Sequence, residues 1–272
     1  MKGEIRILMV LVARKIRELC LGIPFLIILF IQHLAFFLMQ RNAFIVLERD
    51  GMLVAFHPTQ YGLFISVLFL GVFILLYAAA EPARDRESGA LETFFYGPLS
   101  EGIYLFASLI ALIAAVFLSG INILGALCVG AIFIGYEIPA SLLPLLSVTL
   151  ICFCGIGTAG LFASVLFRQT RLGMIAVVML LIFSIAVSTG NFWFSRNDIS
   201  GSFALIFFRQ ALSLTNRVMG FIFPLGLYFN DLSWFIEYGH IPWYHILWYP
   251  VYGIFLFWAA VRVMKKRGVM VR

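Results

Sequence analysis

The chain has 272 residues, 63% of them hydrophobic and 12% charged, with a mean hydropathy of +1.04 and a formal net charge of +6. This balance excludes a water-soluble globular domain, and six apolar runs in this length leave no room for a separate soluble one. The sequence reads as a single membrane domain over 1–272.

A hydrocarbon core about 30 Å thick takes roughly 20 helical residues to cross, and within it every backbone N–H and C=O must be bonded inside its own segment. Met1–Glu18 comes before any such run. It sets Ile5, Leu8, Leu11, Val12 and Ile16 against Arg6, Arg14, Lys15 and Arg17, the pattern of an amphipathic helix lying on the inner leaflet and turning at Gly22–Pro24. Its long basic stretch and full-length apolar sequel are not those of a cleaved signal peptide. Six spans follow at Leu19–Met39, Tyr61–Ala80, Gly102–Leu127, Ser141–Phe167, Leu172–Thr189 and Tyr244–Val261. Gly120, Gly125, Gly130 and Gly135 punctuate the second half of the third run and predict that its helix ends early.

The fold class expected is all-α and integral to the membrane. It has six transmembrane helices, an N-terminal interfacial helix, a short inner helix and outer re-entrant or interfacial helices before the last span. With the N-terminus cytoplasmic, fourteen of the nineteen Lys and Arg residues fall on the inner segments, and only Arg41, Arg49, Arg196, Arg209 and Arg217 lie outside. This asymmetry puts both termini on the cytoplasmic side of the membrane, which is expected to be the plasma membrane. The positive charge reflects topology and not a nucleic-acid surface.

The connection at 81–100 holds six charged residues in its first dozen positions. Pro82 ends or kinks the second span, Asp85–Glu92 reads as a short helix outside the bilayer, and Leu91, Phe94 and Phe95 turn to the membrane. Pro98 stops that helix, and Ser100 is placed to N-cap the third span. A solvated loop with positive-inside arginines is the plainer account of the same residues.

Polar residues within the spans are few. Gln32, His33 and Asn122 are candidates for a translocation path, or simply for interhelical hydrogen bonds. Gly155, Ala159 and Ala163, with Gly160 and Ser164 beside them, form a small-residue face suited to close helix approach. From Ser202 to Phe221 a polar stripe (Arg209, Ser213, Asn216, Arg217, Gly220) opposes an apolar one, which predicts an interfacial helix within the outer region 191–243. Trp234, Trp243, Tyr244, Trp248 and Tyr249 make an aromatic belt. Cys152 and Cys154 lie about 200° apart on a helix and cannot converge on one metal. His57, His240 and His245 have no acidic or cysteine partner at ligand spacing, so no catalytic or metal site is expected.

The run Asp85-Arg-Glu-Ser-Gly-Ala-Leu-Glu-Thr-Phe-Phe-Tyr-Gly-Pro-Leu-Ser100 resembles the signature of ABC-2 type permeases, the membrane subunits of one class of ABC transporters. Asp85, Arg86, Glu87, Gly89, Leu91, Glu92, Pro98 and Ser100 match that pattern, while Ala90 and Gly97 depart from it. Gly157–Ala176 and the basic close of the last span are also similar to the family. The resemblance implies an export-type permease coupled to a cytoplasmic ATPase through Arg86, Glu87, Gly89, Leu91, Glu92 and Pro98. It also implies pairing with a second permease subunit, as a homodimer or heterodimer. No Gly-x-x-x-x-Gly-Lys-Ser/Thr loop occurs, so ATP and magnesium are expected on the ATPase and no cofactor in this chain. A membrane scaffold that docks a cytoplasmic partner without moving a substrate is the alternative reading.

Overall fold

The structure is a computed structural model that describes residues 2–50, 58–91, 94, 100–134, 142–167, 169–196, 203–223, 227–228, 231 and 243–267. Eight long helices run through these residues: α1 (Lys2–Cys20), α2 (Ile23–Asp50), α3 (Pro58–Glu87), α4 (Glu101–Ile134), α5 (Leu142–Leu166), α6 (Thr170–Arg196), α7 (Phe203–Ile222) and α8 (Trp243–Arg267). All except α1 and α7 are long and apolar enough to cross a membrane. The all-α membrane architecture follows from that.

Helix α5 is the centre of the bundle. Of its apolar stretch 67% is buried, against 28% for α2 and α6, which present most of their surface outward. Its small residues explain how it holds neighbours on two sides. Gly155 faces α8, where a Cβ would sit 3.3 Å from the Tyr249 carbonyl and where the Gly253 backbone also closes in. Gly160 faces α3, where a Cβ would come within 2.6 Å of Ala78 Cβ and 2.7 Å of the Leu75 carbonyl oxygen. The predicted small-residue face therefore serves two helices instead of one. Around it pack Ile74, Leu75, Ala78, Leu112, Ala115, Phe153, Ile156 and Leu161, all buried.

Two expectations about helix boundaries fail. Helix α4 is continuous for 34 residues, through Gly120 and Gly125, instead of ending early. A Cβ at either glycine would meet nothing within 4 Å, so these residues mark an open surface and not a break. Helix α3 likewise runs through Pro82 to Glu87. A helix-interior proline disturbs the ladder around it. Here the neighbouring Ala83 N–H donates to Ser164 Oγ on α5 at 2.9 Å, so a hydroxyl from another helix satisfies the backbone beside the ring.

The charged ends of the chain gather at one end of the bundle. Leu11 of α1, Leu91, Tyr104 and Leu105 of α4, Val165 of α5, and Ala260 and Met264 of α8 form one buried cluster there. We refer to it as the basic end, and to the side holding α7 and the start of α8 as the far end.

Candidate functional site

At the basic end α1 does not float on the surface. Its apolar face, with Leu8, Leu11 and Val12, packs into the cluster just described. Lys15, which belongs to the polar face by sequence, is buried. Its Nζ pairs with the equally buried Glu81 carboxylate near the end of α3, lies 3.7 Å from Asp85 Oδ2, and sits 4.1 Å above the centre of the Tyr104 ring. Tyr104 in turn donates its hydroxyl to Asp85 Oδ2 at 2.5 Å. One lysine thus ties α1, α3 and α4 together. Desolvating a cation is costly, and two carboxylates with an aromatic face are what make its burial tolerable. Arg14, one residue earlier, pairs with Glu18 at 2.7 Å and lies 5.4 Å over the Phe94 ring.

The residues expected to couple to a partner are arranged differently from the predicted short helix. Asp85, Arg86 and Glu87 are the last turn of α3, not the start of a separate element. The chain then turns at Ser88–Gly89, and helix resumes at Ala90–Leu91. Gly89 has φ +73°, with its N–H bonded to the Arg86 carbonyl at 3.1 Å, the left-handed close of a helix that favours glycine. Nothing lies within 4 Å of where its Cβ would be, so backbone conformation is what selects glycine here. Arg86 is buried. Glu87 is exposed, but its carboxylate accepts from Thr170 N at 2.7 Å and from Thr170 Oγ1 at 2.8 Å, so it caps the N-terminus of α6. Leu91 is packed inside the protein against α1, α4, α5 and α8, not turned to lipid. Ser100 caps α4 as expected, with its hydroxyl accepting from Ile103 N at 3.4 Å. Glu92 and Pro98 lie outside the described residues.

Gln32, His33 and Asn122 come together between α2 and α4. Gln32 is fully buried, and its Nε2 donates to Ser119 Oγ at 2.7 Å. Asn122 Nδ2 lies 3.3 Å from Gln32 Oε1 and 3.2 Å from His33 Nδ1. These bonds join two helices. His33 is exposed on the outer surface of α2.

The far end holds a group that sequence reasoning missed. Asp231 is 1% exposed, with its Oδ1 2.5 Å from His245 Nδ1 and its Oδ2 accepting from the Tyr249 hydroxyl. His245 therefore does have an acidic partner, contrary to the expectation from spacing along the chain. The legible signal is that His245 and Tyr249 stand one helical turn apart on α8 and so share a face. Nearby, the Tyr228 and Thr149 hydroxyls bond at 2.5 Å, linking the same segment to α5. Helix α7 packs on α6 through Asn216, which accepts from Ser188 Oγ at 2.9 Å, and through Leu212 against Gly190. Part of its predicted polar stripe is thus its packing face, and Phe207, Leu214, Val218 and Phe221 are exposed.

Comparison with protein-family models, with curated proteins and with solved structures finds no match for this chain.

Proposed function

We propose that this protein is the membrane-spanning permease subunit of an ATP-driven ABC-2 type transporter, exporting its substrate with a separate cytoplasmic ATPase and a second permease subunit. The observation that carries this reading is the linkage around the Ser88–Gly89 turn. Lys15 ties the end of α3 to α1 and α4, and Glu87 ties it to α6. A push on that turn would reach four helices at once, which is what a coupling element needs. Arg86 would support the turn from inside, while Gly89 and Glu92 would be the groups nearest a docked ATPase. The Gln32–His33–Asn122 group would border the substrate path. A scaffold that only docks a partner would use the same surface without needing the links to move.

Two measurements test the reading together. Gentle extraction from the native host should recover an ATPase carrying a Gly-x-x-x-x-Gly-Lys-Ser/Thr loop, and the isolated chain should hydrolyse no ATP. In a cysteine-free background, an impermeant thiol reagent applied to intact cells should label Gln210→Cys on α7 and spare Ser88→Cys. Labelling of Ser88→Cys alone would place the basic end outside and remove the ATPase from reach.

A further inference from the structure

We propose that the cavity between the α1–α2 turn and the basic end of α3 binds the headgroup of an aminophospholipid. This does not depend on the transport reading, because it needs only that the helices sit in a bilayer. The cavity is about 270 Å³ and is bordered by Glu18, Gly22, Phe25, Phe73, Tyr77 and Arg84. Its wall is aromatic: the Phe25 and Phe73 rings are 5.9 Å apart, as are those of Phe73 and Tyr77. Glu18 and Arg84 supply opposite charges to the same space.

Arg84 differs from the cations around it. Lys15 and Arg14 each have a carboxylate partner, whereas exposed Arg84 has none within ion-pair distance among the described residues. Glu18 uses Oε1 for Arg14, and its Oε2 makes no hydrogen bond among the described residues. A cation and a carboxylate oxygen, not paired with each other, therefore border one aromatic-walled cavity. The cavity lies where an amphipathic helix enters a span, the depth at which lipid headgroups sit.

A zwitterionic lipid with a primary ammonium matches each of these features. Its phosphate fits the planar fork of the Arg84 guanidinium. Its ammonium can donate to Glu18 Oε2 while lying near the aromatic faces. Its acyl chains continue along the outward face of α2, where Ile23, Leu26, Ile27 and Phe30 are exposed. A choline headgroup lacks the N–H donors for Glu18, and a glycerol headgroup lacks the cation. The site should therefore select the aminophospholipid over both.

The test is native mass spectrometry of the full chain in detergent, titrated separately with phosphatidylethanolamine, phosphatidylcholine and phosphatidylglycerol. One phosphatidylethanolamine should bind, and remain bound at collision energies that strip the other two lipids. Arg84→Ala should weaken its binding by at least about tenfold, the scale of one lost charge-assisted hydrogen bond, and Arg84→Lys should restore part of it. Glu18→Gln should bring phosphatidylethanolamine down to the level of phosphatidylcholine. Equal binding of all three lipids by the unaltered chain would overturn the proposal. So would unchanged binding in both Arg84→Ala and Glu18→Gln, whose exposed positions leave the fold intact.

Discussion

The two ends of the bundle each bury a carboxylate, and they neutralise it by different means. At the basic end Glu81 and Asp85 share a buried lysine with an aromatic ring, across three helices. At the far end Asp231 is held by a histidine and a tyrosine from successive turns of α8. The first arrangement contains a full positive charge that cannot be given up cheaply. The second can be satisfied by donors that carry no charge at all. The basic end is thus an ionic frame, and the far end a hydrogen-bonded seam between one segment and one span.

Removing one partner should separate the two most clearly. Lys15→Met leaves Glu81 buried without its cation, and breaking a buried pair in this way costs about 3–5 kcal/mol. Replacing both partners, as in Lys15→Met with Glu81→Leu, removes the stranded charge and should recover most of that loss. Thermal unfolding of the detergent-solubilised protein checks both values. If the double replacement were as damaging as the single one, Lys15 would not be compensating Glu81, and the ionic frame would have to rest on Asp85 and Tyr104.

At the far end the corresponding change is smaller. Asp231→Ala takes the acceptor from the part-buried His245 ring nitrogen and the buried Tyr249 hydroxyl, and leaving a buried donor unpaired costs about 1–3 kcal/mol. Tyr249→Phe, which removes only one of the two bonds, should cost less than Asp231→Ala in the same unfolding assay. A loss in Asp231→Ala as large as that in Lys15→Met would mean that the far end depends on its carboxylate as heavily as the basic end does on its lysine, and the contrast between the ends would disappear.

Most of the framework could be read from composition, because crossing a bilayer constrains a helix by length and charge alone. The six spans, the amphipathic α1 and α7, and the Ser100 cap all belong to that class of local pattern. What escaped is what depends on a third dimension. The glycines of α4 lower helix propensity but face open space, so nothing prevents the helix from continuing. Pro82 reads as a stop or a kink, and the stop does not occur, because Ser164, 81 positions from Ala83, supplies the acceptor beside the ring as α3 passes. Lys15 looks like a solvated cation until Glu81 is brought to it from 66 residues further on. Asp231 was similarly hidden, since only the packing of its segment on α8 aligns it with His245 and Tyr249. A running pattern also cannot say that the Gly89 turn separates Asp85–Glu87, the last turn of α3, from Ala90–Leu91.

The weakest link in the basic end is also the one that best defines its limits. Glu87 reaches Thr170 through one backbone and one side-chain contact, both at an exposed surface where water competes and salt screens. Thr170→Val removes only the hydroxyl contact, because the backbone N–H remains to donate. Glu87→Gln keeps the shape and removes the charge that favours a helix N-terminus. Each change alone should cost less than about 1 kcal/mol, within the lower part of the range for helix caps. Combined in a double-mutant cycle in the same unfolding assay, they should show a coupling of about 0.5 kcal/mol, shrinking as salt is raised. A coupling of several kcal/mol, insensitive to salt, would make Glu87 part of the buried frame alongside Lys15. The boundary of the ionic end would then extend to α6, where the geometry draws it as a solvent-facing clasp.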